Sequence, residues 1–320
     1  MRIQGRLIIP LVVLTKCFVA NATGFDVENA LRATYNNCIG IENSLHDMKV
    51  MAGINTAISG IGTGLGIGAT AVGVAKSRTD SIIEEKYKVL ENLSYAASSD
   101  VETMDEQEWL KIFEQNNGNS KGEKDYNTDS KNETDEIRKL TEKSKKLGDW
   151  RTGLLVGNTV TNVAGAVISG TNKVDSTLSE QIRNCNASVK NLQKAIAQAR
   201  IDNVDVTEAI RIESACNGFE YIDAINIEKI NNRAKGGMIA SVVGTGTGVV
   251  GAITSAMANS DKIRNNDTEK KKEKNLNTAA NAFAVGSTVA SGVATIFNAT
   301  QIKAIKNVVS VAEKCTEALR

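Results

Sequence analysis

One proline, Pro10, occurs in the 320 residues, and this near-absence constrains the fold more than any other feature. Proline removes a backbone donor and clashes with the preceding turn, so a chain without it has no position that forbids a helix interior. Aromatic residues make up only 4%, while Ala, Gly, Ser and Thr are abundant. The ring surfaces that fill ordinary cores are therefore scarce, and thin, closely packed helices are expected. The formal net charge of +1 supplies no field toward nucleic acid, which is not expected as a partner.

Pro10 itself lies in a segment with the layout of a signal peptide. Arg2 and Arg6 precede an apolar run at residues 7–14, followed by Ala20, Asn21 and Ala22 as an A-x-A cleavage site. Residues 1–22 are expected to be removed on export, leaving a mature chain from Thr23 in the periplasm, the outer envelope or the medium. Cys17 suggests a lipid anchor, but Lys16 stands where processing needs a small residue, and cleavage after Ala22 discards Cys17.

The remaining chain repeats itself. Asp26, Val27, Ala30, Leu31, Arg32, Cys38, Gly40 and Glu42 recur as Asp205, Val206, Ala209, Ile210, Arg211, Cys216, Gly218 and Glu220. The run Gly62 to Gly66 recurs at Gly244 to Gly248, the run Val156 to Val160 at Val285 to Val289, and each copy closes with a cysteine, Cys185 or Cys315. The expected domains are residues 23–201 and 202–320. The first contains a solvated linker at 98–136, with one short helix around Trp109, Leu110, Ile112 and Phe113. The second contains a shorter charged linker at 259–275, whose Lys270, Lys271 and Lys272 read as a solvated face.

Apolar residues flank the cysteines at alternating four- and three-residue steps: Val174, Leu178, Ile182, Cys185, Val189, Leu192, Ile196; Val27, Leu31, Tyr35, Cys38, Ile41, Leu45, Met48, Ala52; and Ile305, Val308, Ala312, Cys315, Leu319. These are coiled-coil seams. The expected fold is all-α: two duplicated long antiparallel helical hairpins with coiled-coil-like arms and glycine-rich central segments. In such hairpins the distance from Cys38 to Gly64 matches that from Cys185 back to Val160, and Cys216 and Cys315 match similarly. Four cysteines in an oxidising compartment then predict disulfides Cys38 to Cys185 and Cys216 to Cys315. The cysteines are too dispersed for a metal site, no CxxC occurs, and His46 is the single histidine.

Four stretches, 52–75, 152–172, 236–260 and 276–300, carry no charge. Small residues recur in them at every fourth position, and the expected packing stripe comprises Gly60, Gly64, Gly68, Gly153, Gly157, Gly165, Gly244, Gly248 and Gly286. This pattern resembles the glycine-zipper segments of membrane-associated and envelope proteins. The resemblance is confined to these stretches and implies close helix packing through the small-residue face. The GxGxG runs are not read as phosphate loops, because no strand precedes them and no GK[ST] follows. No cofactor, catalytic set or small-molecule substrate is expected, since the carboxylates cluster in linkers and on polar faces. Sequons at Asn92, Asn132, Asn186, Asn266 and Asn298 are of the number an Asn- and Thr-rich chain produces by chance.

Two arrangements satisfy the apolar stretches: the close-packed middle of soluble hairpins, or hairpins inserted into a membrane as an assembled bundle. The first leads to the expected function, an exported structural or interaction protein that packs on itself or on another envelope protein. The second gives the alternative, a membrane-active pore former or envelope anchor.

Overall fold

The computed structural model describes residues 22–102, 121–222, 224–264 and 269–320. These are helical almost throughout: α1 Ala22–Cys38, α2 Ile41–Glu102, α3 Lys121–Thr171, α4 Ser176–Ile201, α5 Thr207–Cys216, a 3-10 turn Asn217–Tyr221, α6 Ala224–Ala258, α7 Asp261–Arg264 and α8 Lys270–Leu319. The fold is all-α, and no strand occurs among the described residues. The signal peptide lies outside them but for Ala22, as does the short helix expected around Trp109. The linker expected at 98–136 is helix wherever it is described, because α2 runs to Glu102 and α3 starts at Lys121. Helix persists there because no proline interrupts it and the two helices hold each other: Ile137 is buried, and Lys86 bridges Glu133 at 2.9 Å and Glu136 at 2.6 Å. Those two carboxylates, Glu136 foremost, raise the Lys86 pKa above its ordinary value.

Two compact units form, and they do not coincide with the two copies. Unit 1 contains described residues 22–51, 172–233 and 300–320; unit 2 contains 52–171 and 234–299. Each unit takes part of both copies. A seam shared by two hairpins explains this, since the apolar positions of one copy are covered by those of the other.

In unit 1, α1 packs along α4. Leu178, Ile182, Cys185, Val189, Leu192 and Ile196 are buried along α4, as are Ile305, Val308, Ala312 and Cys315 along α8. Asp175 caps α4 by accepting the Leu178 N–H at 2.7 Å. The arm expected to run unbroken from Val27 to Ala52 is interrupted at Gly40, whose φ of 92° separates α1 from α2. A left-handed residue directly after a helix end is most favourable as glycine. In the second copy the break is the 3-10 turn, where Gly218 lies against the Val311 side chain and leaves 2.7 Å for any added Cβ. Both breaks directly follow a cysteine. Cys38 is bonded to Cys185 and Cys216 to Cys315, with Cα separations of 4.7 and 4.4 Å. The bridges join helices within each copy, and the copies meet through contacts such as Gln193 Nε2 donating to Glu213 Oε1 at 2.6 Å and Asn231 pairing with the Val174 backbone.

Unit 2 is a four-helix bundle of α2, α3, α6 and α8. The seam spacing continues through it without a change of register. On α2 the buried positions are Asn55, Ser59, Gly62, Gly66, Ala69, Gly73 and Lys76; on α3, Arg151, Leu155, Asn158, Asn162, Gly165 and Ser169. On α6 they are Gly237, Ser241, Gly244, Gly248, Gly251, Ser255 and Ala258; on α8, Asn277, Ala280, Ala284, Ser287, Ser291, Ala294 and Asn298. Steps of four and three alternate in every row, the heptad rule for helices wound around one another. What changes is the chemistry: the seam is Leu, Ile and Val in unit 1, and Gly, Ala, Ser and Asn in unit 2.

Candidate functional site: a polar interior inside an apolar surface

Small seam residues in unit 2 let large polar ones cross the axis. Aligning Gly64 with Gly246 and Gly157 with Gly286 pairs Asn158 with Ser287, Asn162 with Ser291, Ser169 with Asn298, and Asn55 with Gly237. Three of these pairs meet each other in space. Asn158 Nδ2 donates to Ser287 Oγ at 2.9 Å, and Ser169 Oγ donates to Asn298 Oδ1 at 3.3 Å. At each of these four positions one copy carries the long amide and the other a hydroxyl or a glycine.

In the middle layer each buried polar side-chain atom has a partner within hydrogen-bonding reach. Asn158 Oδ1 accepts from Asn162 Nδ2 at 3.0 Å, and the single Ser291 hydroxyl proton lies within reach of both Asn158 Oδ1 (3.0 Å) and Asn162 Oδ1 (3.1 Å). Ser287 Oγ donates to the Gly244 carbonyl at 2.9 Å. Next to it, Ala69, Leu155 and Ala284 form one dry layer. Beyond that layer Arg151 is fully buried, its three guanidinium nitrogens donating to Ser255 Oγ (2.8 Å), Asn281 Oδ1 (3.0 Å) and Asn277 Oδ1 (2.8 Å). Lys76, 1% exposed, bridges Asp80 at 2.7 Å and Glu273 at 3.4 Å.

Over the charge-free stretches the outer surface of unit 2 has the opposite character. Ile61 (59% exposed), Ile67, Val160 (62%), Val167, Val289 and Ile296 (65%) project away from the seam. Four helical stretches, one through each of α2, α3, α6 and α8, are long and apolar enough to cross a membrane, and only 28% to 33% of the most apolar window in each is buried.

The glycines expected to form one packing stripe divide into three groups. Gly165, Gly244 and Gly248 are buried in the seam. A Cβ on Gly244 would come within 2.8 Å of Asn162, and one on Gly248 within 3.2 Å of Ser287 Oγ. Gly68, Gly157 and Gly286 are half-buried at its flank and receive Leu154, Leu65 and Thr247. Gly60, Gly64 and Gly153 are exposed, with nothing within 4 Å of an added Cβ. The seam glycines of α2 are instead Gly62, Gly66 and Gly73, and Gly237 and Gly251 serve the same purpose on α6. The reason is angular: a strict four-residue repeat precesses about 40° per step around a helix, whereas alternating steps of four and three hold one face. The glycine ladder from Gly60 to Gly68 contains both rows. The signal that selects the correct one is the register of the cysteine seam: counting on from Cys38 and Ala52 by threes and fours reaches Gly62 and Gly66.

Comparison with known proteins finds no family model, curated protein or solved structure that matches the chain.

Proposed function

We propose that the chain is an exported, membrane-anchored scaffold, in which unit 2 is the anchor and unit 1 a disulfide-stapled helical domain offered to another envelope protein or to a second copy. One observation carries this reading: the seam of unit 2 is Asn, Ser and Gly, while its surface is Val and Ile. In water this is inverted, because it buries hydrogen-bonding groups and leaves a contiguous apolar surface of the kind that marks interaction or aggregation. In hydrocarbon it is the stable order: lipid tails accept the valines, backbone groups are satisfied within helices, and side-chain amides must face one another. Each charge-free stretch exceeds the 20 residues or so needed to cross about 30 Å. An anchor is preferred to a pore because the Asn158, Asn162, Ser287 and Ser291 network and the glycine contacts close the axis.

Orientation follows from counting crossings. Two membrane-spanning stretches separate Cys38 from Cys185, none separates Cys185 from Cys216, and two separate Cys216 from Cys315. All four cysteines therefore face one side, the oxidising one. The opposite side receives Lys262 and Arg264 of α7 and Lys270, Lys271, Lys272 and Lys274 at the start of α8, as the positive-inside rule requires.

Two variants test this reading. With Lys271→Cys, a membrane-impermeant maleimide is expected to label the loop only after cells are lysed; labelling in intact cells reverses the orientation. Val160→Arg places a charge on the mid-helix surface, at a cost of about 2.5–3.5 kcal/mol for insertion. Its membrane-integrated yield is expected to fall well below that of Val160→Leu, whereas equal yields would argue for a surface bathed in water.

A further inference from the structure

The layer of unit 2 around Gly165 differs from the middle layer, where each buried polar atom has a partner within reach. Asn55 Nδ2 donates to Ser169 Oγ at 2.6 Å, and Asn298 Nδ2 donates to Ser59 Oγ at 3.0 Å. Asn55 Oδ1 and Ser241 Oγ are fully buried and have no hydrogen-bond partner among the described residues. Both lie against Gly165. A Cβ built on Gly165 would lie 3.1 Å from Ser241 Oγ, 3.4 Å from Asn55 Oδ1 and 3.5 Å from Ser59 Oγ. Three oxygens from two helices thus converge on the space beside a residue that has no side chain. The internal alignment supplies a control: the position equivalent to Gly165 is Ala294, and the position equivalent to Asn55 is Gly237. In the second copy a methyl occurs where no amide oxygen needs a partner. In the first copy the methyl is missing where one does.

We propose that Gly165 keeps open a binding site for one water molecule, which donates to Asn55 Oδ1 and exchanges hydrogen bonds with Ser241 Oγ and Ser59 Oγ. Buried polar atoms left without partners are costly, and a water with three polar neighbours is the usual remedy. A cation is disfavoured because the seam residues of this layer, Asn55, Ser59, Gly165, Ser169, Ser241 and Asn298, include no carboxylate to offset a charge removed from water.

The site makes an unusual prediction of order. Glycine to alanine inside a helix ordinarily stabilises. Here Gly165→Ala expels the water and leaves both oxygens unpaired, whereas Gly165→Ser brings a hydroxyl to the place the water held. In thermal unfolding of the full chain in detergent, Gly165→Ala is expected to lower the apparent Tm by about 5 °C, with Gly165→Ser between it and the parent. An alanine variant as stable as the parent overturns the proposal. So does a serine variant less stable than alanine, which would mean crowding alone. Should neither variant fold, the parent protein decides: cross-peaks from water to the Gly165 Hα protons in its NMR spectrum are expected, and a dry Gly165 refutes the site.

Discussion

Replacing Cys216 and Cys315 together by serine is expected to destabilise unit 1 by about 4 to 5 kcal/mol. The bridge closes a sequence separation of 99 residues and its partner one of 147. On the chain-entropy account, a cross-link stabilises by removing disorder from the unfolded ensemble, and loops of this size correspond to about 4.7 and 5 kcal/mol. The size of the loss also reports on how the chain unfolds. If unit 2 stays folded while unit 1 opens, the Cys38 to Cys185 loop is already closed near Met51 and Asn172. Its effective length is then roughly 30 residues, and the loss falls to about 3.6 kcal/mol. Denaturant unfolding followed by circular dichroism, with and without reductant, measures this directly. A change below about 1 kcal/mol for either bridge would contradict the account.

The second large effect is a contrast between neighbouring glycines. Gly66 faces Thr288, whose Cα would lie 3.0 Å from an added Cβ, with Asn158 Nδ2 at 3.1 Å. A backbone atom cannot rotate away, so Gly66→Leu must separate α2 from α8 and break the Asn158 network. A loss of at least about 3 kcal/mol, or outright failure to assemble, is expected. Gly64, two residues earlier, has open space on its Cα. Gly64→Leu is expected to remain within about 1 kcal/mol of the parent, with any gain coming from helix propensity. Chemical unfolding of the two variants in the same detergent tests the assignment; similar losses at both positions would restore the four-residue stripe through Gly60, Gly64 and Gly68.

That contrast marks where the sequence was legible and where it was not. The helices were legible because proline is missing and the 4–3 spacing around each cysteine is regular. The arm lengths and the geometry agree on Cys38 with Cys185 and Cys216 with Cys315. The glycine row was not legible by its own spacing, since Gly60, Gly62, Gly64, Gly66 and Gly68 offer two faces of equal composition. The cysteine seam, carried forward in register, separates them. The breaks at Gly40 and after Cys216 were hidden because the apolar pattern runs straight across both. The division into units was hidden too. It follows the switch in seam chemistry near Met51, Thr171, Arg233 and Ala299, and not the boundary between the copies.

This switch is also what the functional reading rests on. Leucine and isoleucine in the seam of unit 1 are what aqueous burial rewards, since removing their surface from water is worth roughly 25 cal/mol per Å². Lipid supplies no such gain between helices, and there small residues with interhelical hydrogen bonds hold the contact. On the proposed reading, a single heptad register carries two solvents' worth of packing rules, one in each unit.

Alkaline carbonate extraction of membranes from cells expressing the full chain tests this most directly, because it strips peripheral proteins and leaves bilayer-spanning ones in the pellet. The chain is expected to remain in the pellet with its disulfides intact or reduced, and to enter solution only with detergent. Recovery in the carbonate supernatant, or a monodisperse protein that needs no detergent, would contradict the membrane anchor.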